Sequence, residues 1–389
     1  MFSLNTLLYM ATSIIGVVLV HIALDNISMF LKEGLLKDRF NFENESFEQC
    51  KDLQTNDYSV NIPMRYYYKG KFRKGWENIV NPFRGTWVVG TPGSGKTFSI
   101  IESFIRQHSE KGFALVLYDY KFPSLATKLY FHYPKNPSYL LIANDPEIES
   151  IIGALNALIL KRLVTRVNTG QGKNIPTSII VDELPTLYFH KIDRLIGTAR
   201  SSKVSVTLGF QELPQLEADY GKVGMQKIIT TVGNVVSGSA RSKETLEWLS
   251  SDIFGKVVQL KKGVTIDRDK TSINLNENMD SLVPASKISD MPTGWICGQT
   301  ARDFVKTKTG RGGSMNIQES EEFKTSKFYC KTDFNMADIK KEEDGYVALP
   351  KFYTFKSMDE RERILYKNFV QVGEDVKSMI NTIQRYRVK

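Results

Sequence analysis

The chain has 389 residues, of which 41% are hydrophobic and 24% charged, and its formal net charge is +9. That balance gives a folded protein with apolar content for one large domain or two smaller ones, and it excludes disordered and fibrous classes. Cys50, Cys297 and Cys330 stand far apart with no CxxC pair, which argues against a zinc site or disulfide framework and for a reducing compartment.

From Met1 to Leu24 there is no Asp, Glu, Lys or Arg, and the stretch LLYMATSIIGVVLVHIAL is strongly apolar. Its length is near the minimum for a helix crossing a ~30 Å hydrocarbon layer. A secretory signal peptide is the rival reading, but no basic residue precedes the run and no A-x-A site follows it. A buried core helix is the third. Hydropathy favours an N-terminal transmembrane helix within residues 1–31, and Lys32, Lys37 and Arg39 just beyond it place the rest of the chain in the cytoplasm.

Residues 32–80 form a membrane-proximal segment ending in RYYYKGKFRKGWENIVNP. Arg65, Lys69, Lys71, Arg73 and Lys74 alternate there with Tyr66, Tyr67, Tyr68, Phe72 and Trp76. The mix suits a nucleic-acid path built on phosphate contacts and base stacking. It also suits a membrane-proximal strand pair whose cations lie near lipid headgroups, the reading slightly favoured here.

Between residues 81 and 300, short apolar runs alternate with helical stretches, the pattern of an α/β domain with a mainly parallel central sheet. The runs are 86–89, 114–119, 139–144, 178–182, 204–210 and 234–239, and their continuous apolar character suits strands buried on both faces. TFSIIESFIRQHSEKG reads as a helix ending near Gly112, and a second helix starts near Asp145 and Pro146.

Gly90-Thr91-Pro92-Gly93-Ser94-Gly95-Lys96-Thr97 matches the phosphate-loop template G-x-x-x-x-G-K-[ST] at every fixed position. It follows an apolar run and opens a helix, the context in which backbone N–H groups curl around a β-phosphate. These residues with Phe98 are expected to hold ATP, Lys96 reaching the β- and γ-phosphates and the Thr97 hydroxyl ligating Mg²⁺. Downstream, SIIVDEL puts Asp182 and Glu183 at the end of a buried strand, Asp182 for the metal and Glu183 to polarise the attacking water. Gln211 ends the run 204–210, where it can sense a γ-phosphate or position water. Arg200 precedes that run, and either caps its own helix or enters a neighbouring subunit's site as an arginine finger. Asp119 and Lys121 end another strand without an assigned role. His21, His108, His132 and His190 show no ligand spacing and are expected to be structural or surface residues.

Residues 301–389 open with the polar stretch TKTGRGGSMNIQESEE, read as a loop, and close with an amphipathic helix over roughly 357–386.

The segment VDELPTLYFHKIDRLIGTARSSKVSVTLGFQELPQLEADYG resembles the signature of the type IV coupling proteins, the TraG/TraD family of conjugation. Its DE pair, helix-final arginine, strand and following glutamine occur in the family's order. NVVSGSARSKETLEWLSSDIFGK and ISDMPTGWICGQ are similar to later family segments, and RGTWVVGTPGSGKTFS with YDYKFP resembles the TraG-type proteins of Bacteroidetes mobile elements. The resemblance covers roughly residues 80–300. It implies a RecA/FtsK-like P-loop NTPase domain in a ring-forming, hexameric ATPase anchored in the bacterial inner membrane. Such an ATPase brings relaxase-bound single-stranded DNA to the channel proteins of a type IV secretion system. Lys96 and Thr97 take the phosphate-loop roles, Asp182 and Glu183 the metal and hydrolysis roles, Gln211 the sensor's and Arg200 the finger's. Two departures stand out. Only one membrane pass is evident, and the 86 positions from Lys96 to Asp182 leave little room for the family's all-helical insertion. The alternative function is an ATPase powering assembly or extrusion of a secretion or filamentous-phage machine without moving DNA. A membrane scaffold using ATP as a switch is a third.

Overall fold

The computed structural model describes residues 4–36, 46–132, 134–135, 138–144, 149–169, 175–187, 192–267, 270–301, 307–311, 314–318, 326–350 and 355–387. His190 and the expected helix start at Asp145 and Pro146 lie outside them. The elements in chain order begin with α1 (Leu4–Leu36), β1 (Leu53–Thr55), β2 (Val60–Tyr68), β3 (Lys71–Ile79) and β4 (Thr86–Val89). A π-helical turn, Thr97–Ile101, runs into α2 (Glu102–Glu110), followed by β5 (Ala114–Asp119), α3 (Ser124–Phe131), β6 (Tyr139–Ala143) and α4 (Glu149–Thr169). Next come β7 (Thr177–Val181), α5 (Ile192–Ala199), β8 (Val204–Phe210), α6 (Leu213–Thr231), β9 (Asn234–Ser237) and α7 (Lys243–Glu247). The chain continues through β10 (Lys256–Asp267), β11 (Lys270–Ser281), α8 (Ala285–Ser289) and β12 (Trp295–Gln299). It then forms β13 (Thr307–Arg311), β14 (Ser314–Gln318), β15 (Lys327–Thr332) and α9 (Met336–Glu343).

Ten strands make one sheet in the order β3-β2-β15-β12-β9-β4-β8-β7-β5-β6. The six from β9 to β6 pair in parallel. β12, β15, β2 and β3 add an antiparallel flank. The fold is therefore α/β with a mixed, mainly parallel sheet. The expected strands at 86–89, 114–119 and 204–210 coincide with β4, β5 and β8, and the other three agree within two residues. Burial on both faces explains why continuous apolar runs located them. Trp87, Val89, Val116, Tyr118, Ile179 and Val181 enter one core, while Val88, Leu115, Leu117 and Ile180 enter the other.

Ten large apolar side chains of α1, from Tyr9 to Leu24, are exposed, which removes the buried-core reading of that run. Among the described residues no helix is long and apolar enough to cross a membrane. The helix also runs beyond the apolar stretch, through Asp25, Lys32 and Glu33.

The basic and aromatic segment forms the β2–β3 hairpin, closed by Lys69 and Gly70 with φ of 51° and 75°. Two successive positive φ values match the twist of a tight hairpin. At its tip Tyr67 and Phe72 meet edge to face with ring centroids 5.4 Å apart, and Lys69 and Arg73 lie 5.1 and 5.5 Å from the Tyr68 ring.

The stretch read as a loop after residue 300 instead contains β13 and β14, which pair with each other and with β1. β13 holds no apolar residue and β14 only Met315 and Ile317, too short an alternation for apolar periodicity to mark a strand. β10 and β11 form a separate two-stranded hairpin twelve residues long on each side. Residues Val347–Lys389 form a second compact unit, in which α10 (Met358–Arg387) is the helix expected over 357–386.

His108 on α2 is a structural histidine. It is fully buried, stacks on Phe113 with ring centroids 4.0 Å apart, and contacts Ser178 Oγ at 2.8 Å and the Tyr58 carbonyl at 3.3 Å. Burial drives its pKa down to about 3. The unfolded chain takes up this proton near pH 6.5 and the folded chain does not, so stability is complete above about pH 6.5 and falls towards pH 3. Urea midpoints of the wild type should drop across that window with a slope contribution of up to about 1.4 kcal/mol per pH unit. His108→Gln should flatten the slope, and an unchanged slope would assign the acid sensitivity elsewhere.

Candidate nucleotide site

The carboxyl ends of β4, β7 and β8 bring the predicted residues together. β8 lies between the other two, so the residue after it emerges between the phosphate loop and the carboxylate pair. Close packing makes this possible, because a Cβ on Gly209 would fall 2.1 Å from the Asp182 carbonyl oxygen.

The loop leaves β4 through Gly90, whose φ is 147° and where a Cβ would stand 2.7 Å from Ser94 Oγ. Only glycine fits that turn. The Thr91 N–H donates to the Ser239 carbonyl (2.9 Å) beyond β9, and the Ser94 N–H donates to the Thr91 carbonyl (3.1 Å). Pro92 and Gly93 are exposed, and Gly95 takes a φ of 89° ahead of the helical turn at Thr97. Phe98 packs edge to face against Phe334, with centroids 5.6 Å apart, and so braces the turn from the side of the antiparallel flank.

Lys96 Nζ donates to Glu183 Oε2 (3.4 Å) and to the Phe210 carbonyl (3.4 Å), while Gln211 Nε2 donates to the same Glu183 oxygen (3.2 Å). Two residues from separate motifs, Lys96 and Gln211, thus converge on the carboxylate of a third. Asp182 and Glu183 are both buried, and among the described residues Asp182 Oδ1 and Glu183 Oε1 have no hydrogen-bond partner. Burial raises the Asp182 pKa to about 6, with Glu183 and Asp119 adding to the rise and Lys96 opposing it. A cation beside Asp182 would reverse that cost.

Asp119 proves to be a helix cap. Its Oδ2 accepts the N–H groups of Leu125 and Ala126 at 2.9 Å each, at the start of α3, and burial raises its pKa against those donors. Lys121 is exposed. Sequence pattern could not show the cap, since the acceptor lies six residues before its donor across a turn.

Arg200 does not join the cluster. It follows α5 and is exposed, and among the described residues its guanidinium has no hydrogen-bond or ion-pair partner. The last carbonyls of α5 are satisfied by others: Ser201 Oγ donates to Thr198 O (2.9 Å) and Ser202 N–H to Ala199 O (3.2 Å). The arginine sits before β8 and Gln211 after it, so the length of the seven-residue strand, roughly 20 Å at ~3.3 Å per residue, separates Arg200 from the phosphate-loop edge.

Among the described residues no group of three His, Cys, Asp or Glu side chains forms a metal cage. Mg²⁺ in a nucleotide site needs none, because it keeps waters and uses phosphate oxygens with one or two protein ligands. The unpartnered Asp182 Oδ1 and the Thr97 hydroxyl fit that donor set.

Residues 176–293 match the family model described as the TraM recognition site of TraD and TraG. The TraG/TraD resemblance holds. The TraG/TraD segment runs from the start of β7 to the loop before β12, and it contains Asp182, Glu183, Arg200 and Gln211 but not the phosphate loop. Among solved structures, the chain is similar to the bacterial conjugative coupling protein TrwBdeltaN70 in its unbound monoclinic form. The TM-score is 0.47 at 12% identity, over 57% of this chain and 82% of that one. TrwB in complex with ADP and Mg²⁺ matches with a TM-score of 0.46 at 12% identity, over 71% and 98% of the two chains. The genome packaging NTPase B204 of Sulfolobus turreted icosahedral virus 2 matches with a TM-score of 0.37 at 14% identity, over 59% and 98%. No curated protein matches the chain.

Proposed function

We propose that the chain is an ATPase at the bacterial inner membrane that couples ATP hydrolysis to transfer of DNA, as a relaxase–DNA complex, into a type IV secretion channel. The observation that carries the proposal is the convergence of Lys96 and Gln211 on Glu183 beside Asp182, inside a TraG/TraD segment. In this reading the backbone of Gly90 to Thr97 would hold ATP, with Lys96 on the β- and γ-phosphates. Thr97 and Asp182 would hold Mg²⁺, which when bound neutralises phosphate charge. Glu183 takes the proton of the attacking water, and Gln211, already on Glu183, orients that water. Lys96 and Glu183 meet in this pair at low exposure, 11% and 8% of their side chains.

Arg200 serves a neighbouring copy. The strand-length separation from its own loop and its lack of a partner among the described residues support a role in trans, and hence a ring, hexameric by resemblance to the coupling proteins. The exposed apolar face of α1 supports membrane attachment, since a contiguous apolar surface of this size in water favours a lipid or protein partner.

Hydrolysis by the full chain in detergent, measured with and without single-stranded DNA from low to high salt, tests the DNA reading. Stimulation should be several-fold at low salt and fade as salt rises, because phosphate contacts release counterions. Hydrolysis indifferent to DNA at every salt concentration overturns it and favours the assembly or extrusion ATPase.

A further inference from the structure

The loop between α8 and β12 touches the phosphate loop at two points. Thr293 Oγ1 donates to the Gly93 carbonyl at 2.9 Å, and the Gly294 N–H donates to the Ser94 carbonyl at 3.3 Å. We propose that Thr293 and Gly294 are positioning residues that hold the phosphate loop in its anion-binding shape, so that Thr293 sets nucleotide affinity. The proposal rests on the reading that residues 90–97 hold a triphosphate.

The reason lies in the planar trans peptide, in which a carbonyl and the next residue's N–H point in opposite directions. Fixing the Gly93 carbonyl on Thr293 turns the Ser94 N–H away from the brace and onto the Thr91 carbonyl, the bond that closes the loop. Fixing the Ser94 carbonyl on Gly294 turns the Gly95 N–H to the same side, and among the described residues that N–H has no protein acceptor. An N–H presented this way at the start of a helix is what an anion requires. The two chains approach closely because both are glycine there, a Cβ on Gly95 lying 3.2 Å from the Gly294 nitrogen.

The brace is itself anchored. The Gly294 carbonyl accepts the Thr332 N–H (2.9 Å) and hydroxyl (3.1 Å) at the end of β15. The adjoining Asp333 pairs with Arg65 Nε (2.8 Å) and donates its N–H to the Pro63 carbonyl (2.8 Å) on β2. The antiparallel flank therefore backs the phosphate loop at Gly93 and Ser94 through hydrogen bonds, as the segment after β9 does at Thr91.

The test measures binding of a fluorescent ATP analogue, steady-state kinetics and thermal midpoint for the full chain. Thr293→Val, which keeps the shape and removes the donor, should weaken nucleotide binding and raise KM about five-fold, the loss of one modest hydrogen bond. Its kcat should stay within about two-fold and its thermal midpoint should not move, the signature of lost uniform binding. Thr293→Ser should restore wild-type affinity. Wild-type affinity in Thr293→Val overturns the brace, as does weakened binding that Thr293→Ser fails to restore. A wild-type chain that does not bind the analogue, matching a Lys96→Ala control, overturns the nucleotide reading and the brace with it.

Discussion

Glu183→Gln is expected to cut ATP turnover by about 10²- to 10⁴-fold, the usual contribution of a positioned general base, while nucleotide binding persists. The substitution preserves shape and removes the negative charge together with the ability to accept a proton. Glu183 is suited to that task because Lys96 and Gln211 both donate to Oε2, which leaves Oε1 buried and unpartnered. A buried oxygen without a donor is costly unless something is to occupy the space beside it. The variant should also change stability in a way that nucleotide reverses. Without the Glu183 charge, Lys96 keeps only Asp182 nearby and the Phe210 carbonyl, and half of a low-exposure pair is left uncompensated. The thermal midpoint without nucleotide should therefore fall, and Mg·ATP should recover it by giving Lys96 phosphate oxygens. Unchanged turnover would remove Glu183 from the chemistry and strengthen the view of ATP as a structural switch.

Arg200→Ala is expected to cut hydrolysis by about 10³- to 10⁵-fold, the range for removal of an arginine finger, with ATP affinity nearly intact. Two features of the structure produce this expectation. Arg200 stands a strand's length from its own phosphate loop, and the helix carbonyls it might have capped are already bonded to Ser201 and Ser202. Mixing decides the point. Arg200→Ala copies retain Lys96, and Lys96→Ala copies retain Arg200, so mixed assemblies should regain hydrolysis that neither variant shows alone. Activity of the wild type should likewise rise with protein concentration as assemblies form. A wild type that hydrolyses ATP at a constant specific rate down to a lone protomer, or mixtures without recovery, would return Arg200 to an ordinary surface role.

How far the site was legible depended on how local its geometry is. The turn at Gly90–Thr97 was readable as a motif because its residues are consecutive and its glycines answer to steric limits within a few bonds. The strands β4, β5 and β8 were readable residue by residue because both faces are buried, leaving unbroken apolar runs. β13 and β14 were not, since TKTGR has no apolar residue and SMNIQ has only two, too few to carry a periodic signal. The brace from Thr293 and Gly294 was invisible for a different reason, because a hydrogen bond across 200 positions leaves no mark on spacing.

The sequence alone holds the candidate groups: a phosphate-loop match at Gly90–Thr97, a carboxylate pair at Asp182 and Glu183, and a glutamine and an arginine flanking one strand. What only the tertiary structure decided is which of these meet. Insertion of β8 between β4 and β7 carries Gln211 to Glu183 and leaves Arg200 at the far end of the same strand. Strand order is fixed by how buried faces pack across the whole sheet, a global competition that no local run of residues encodes.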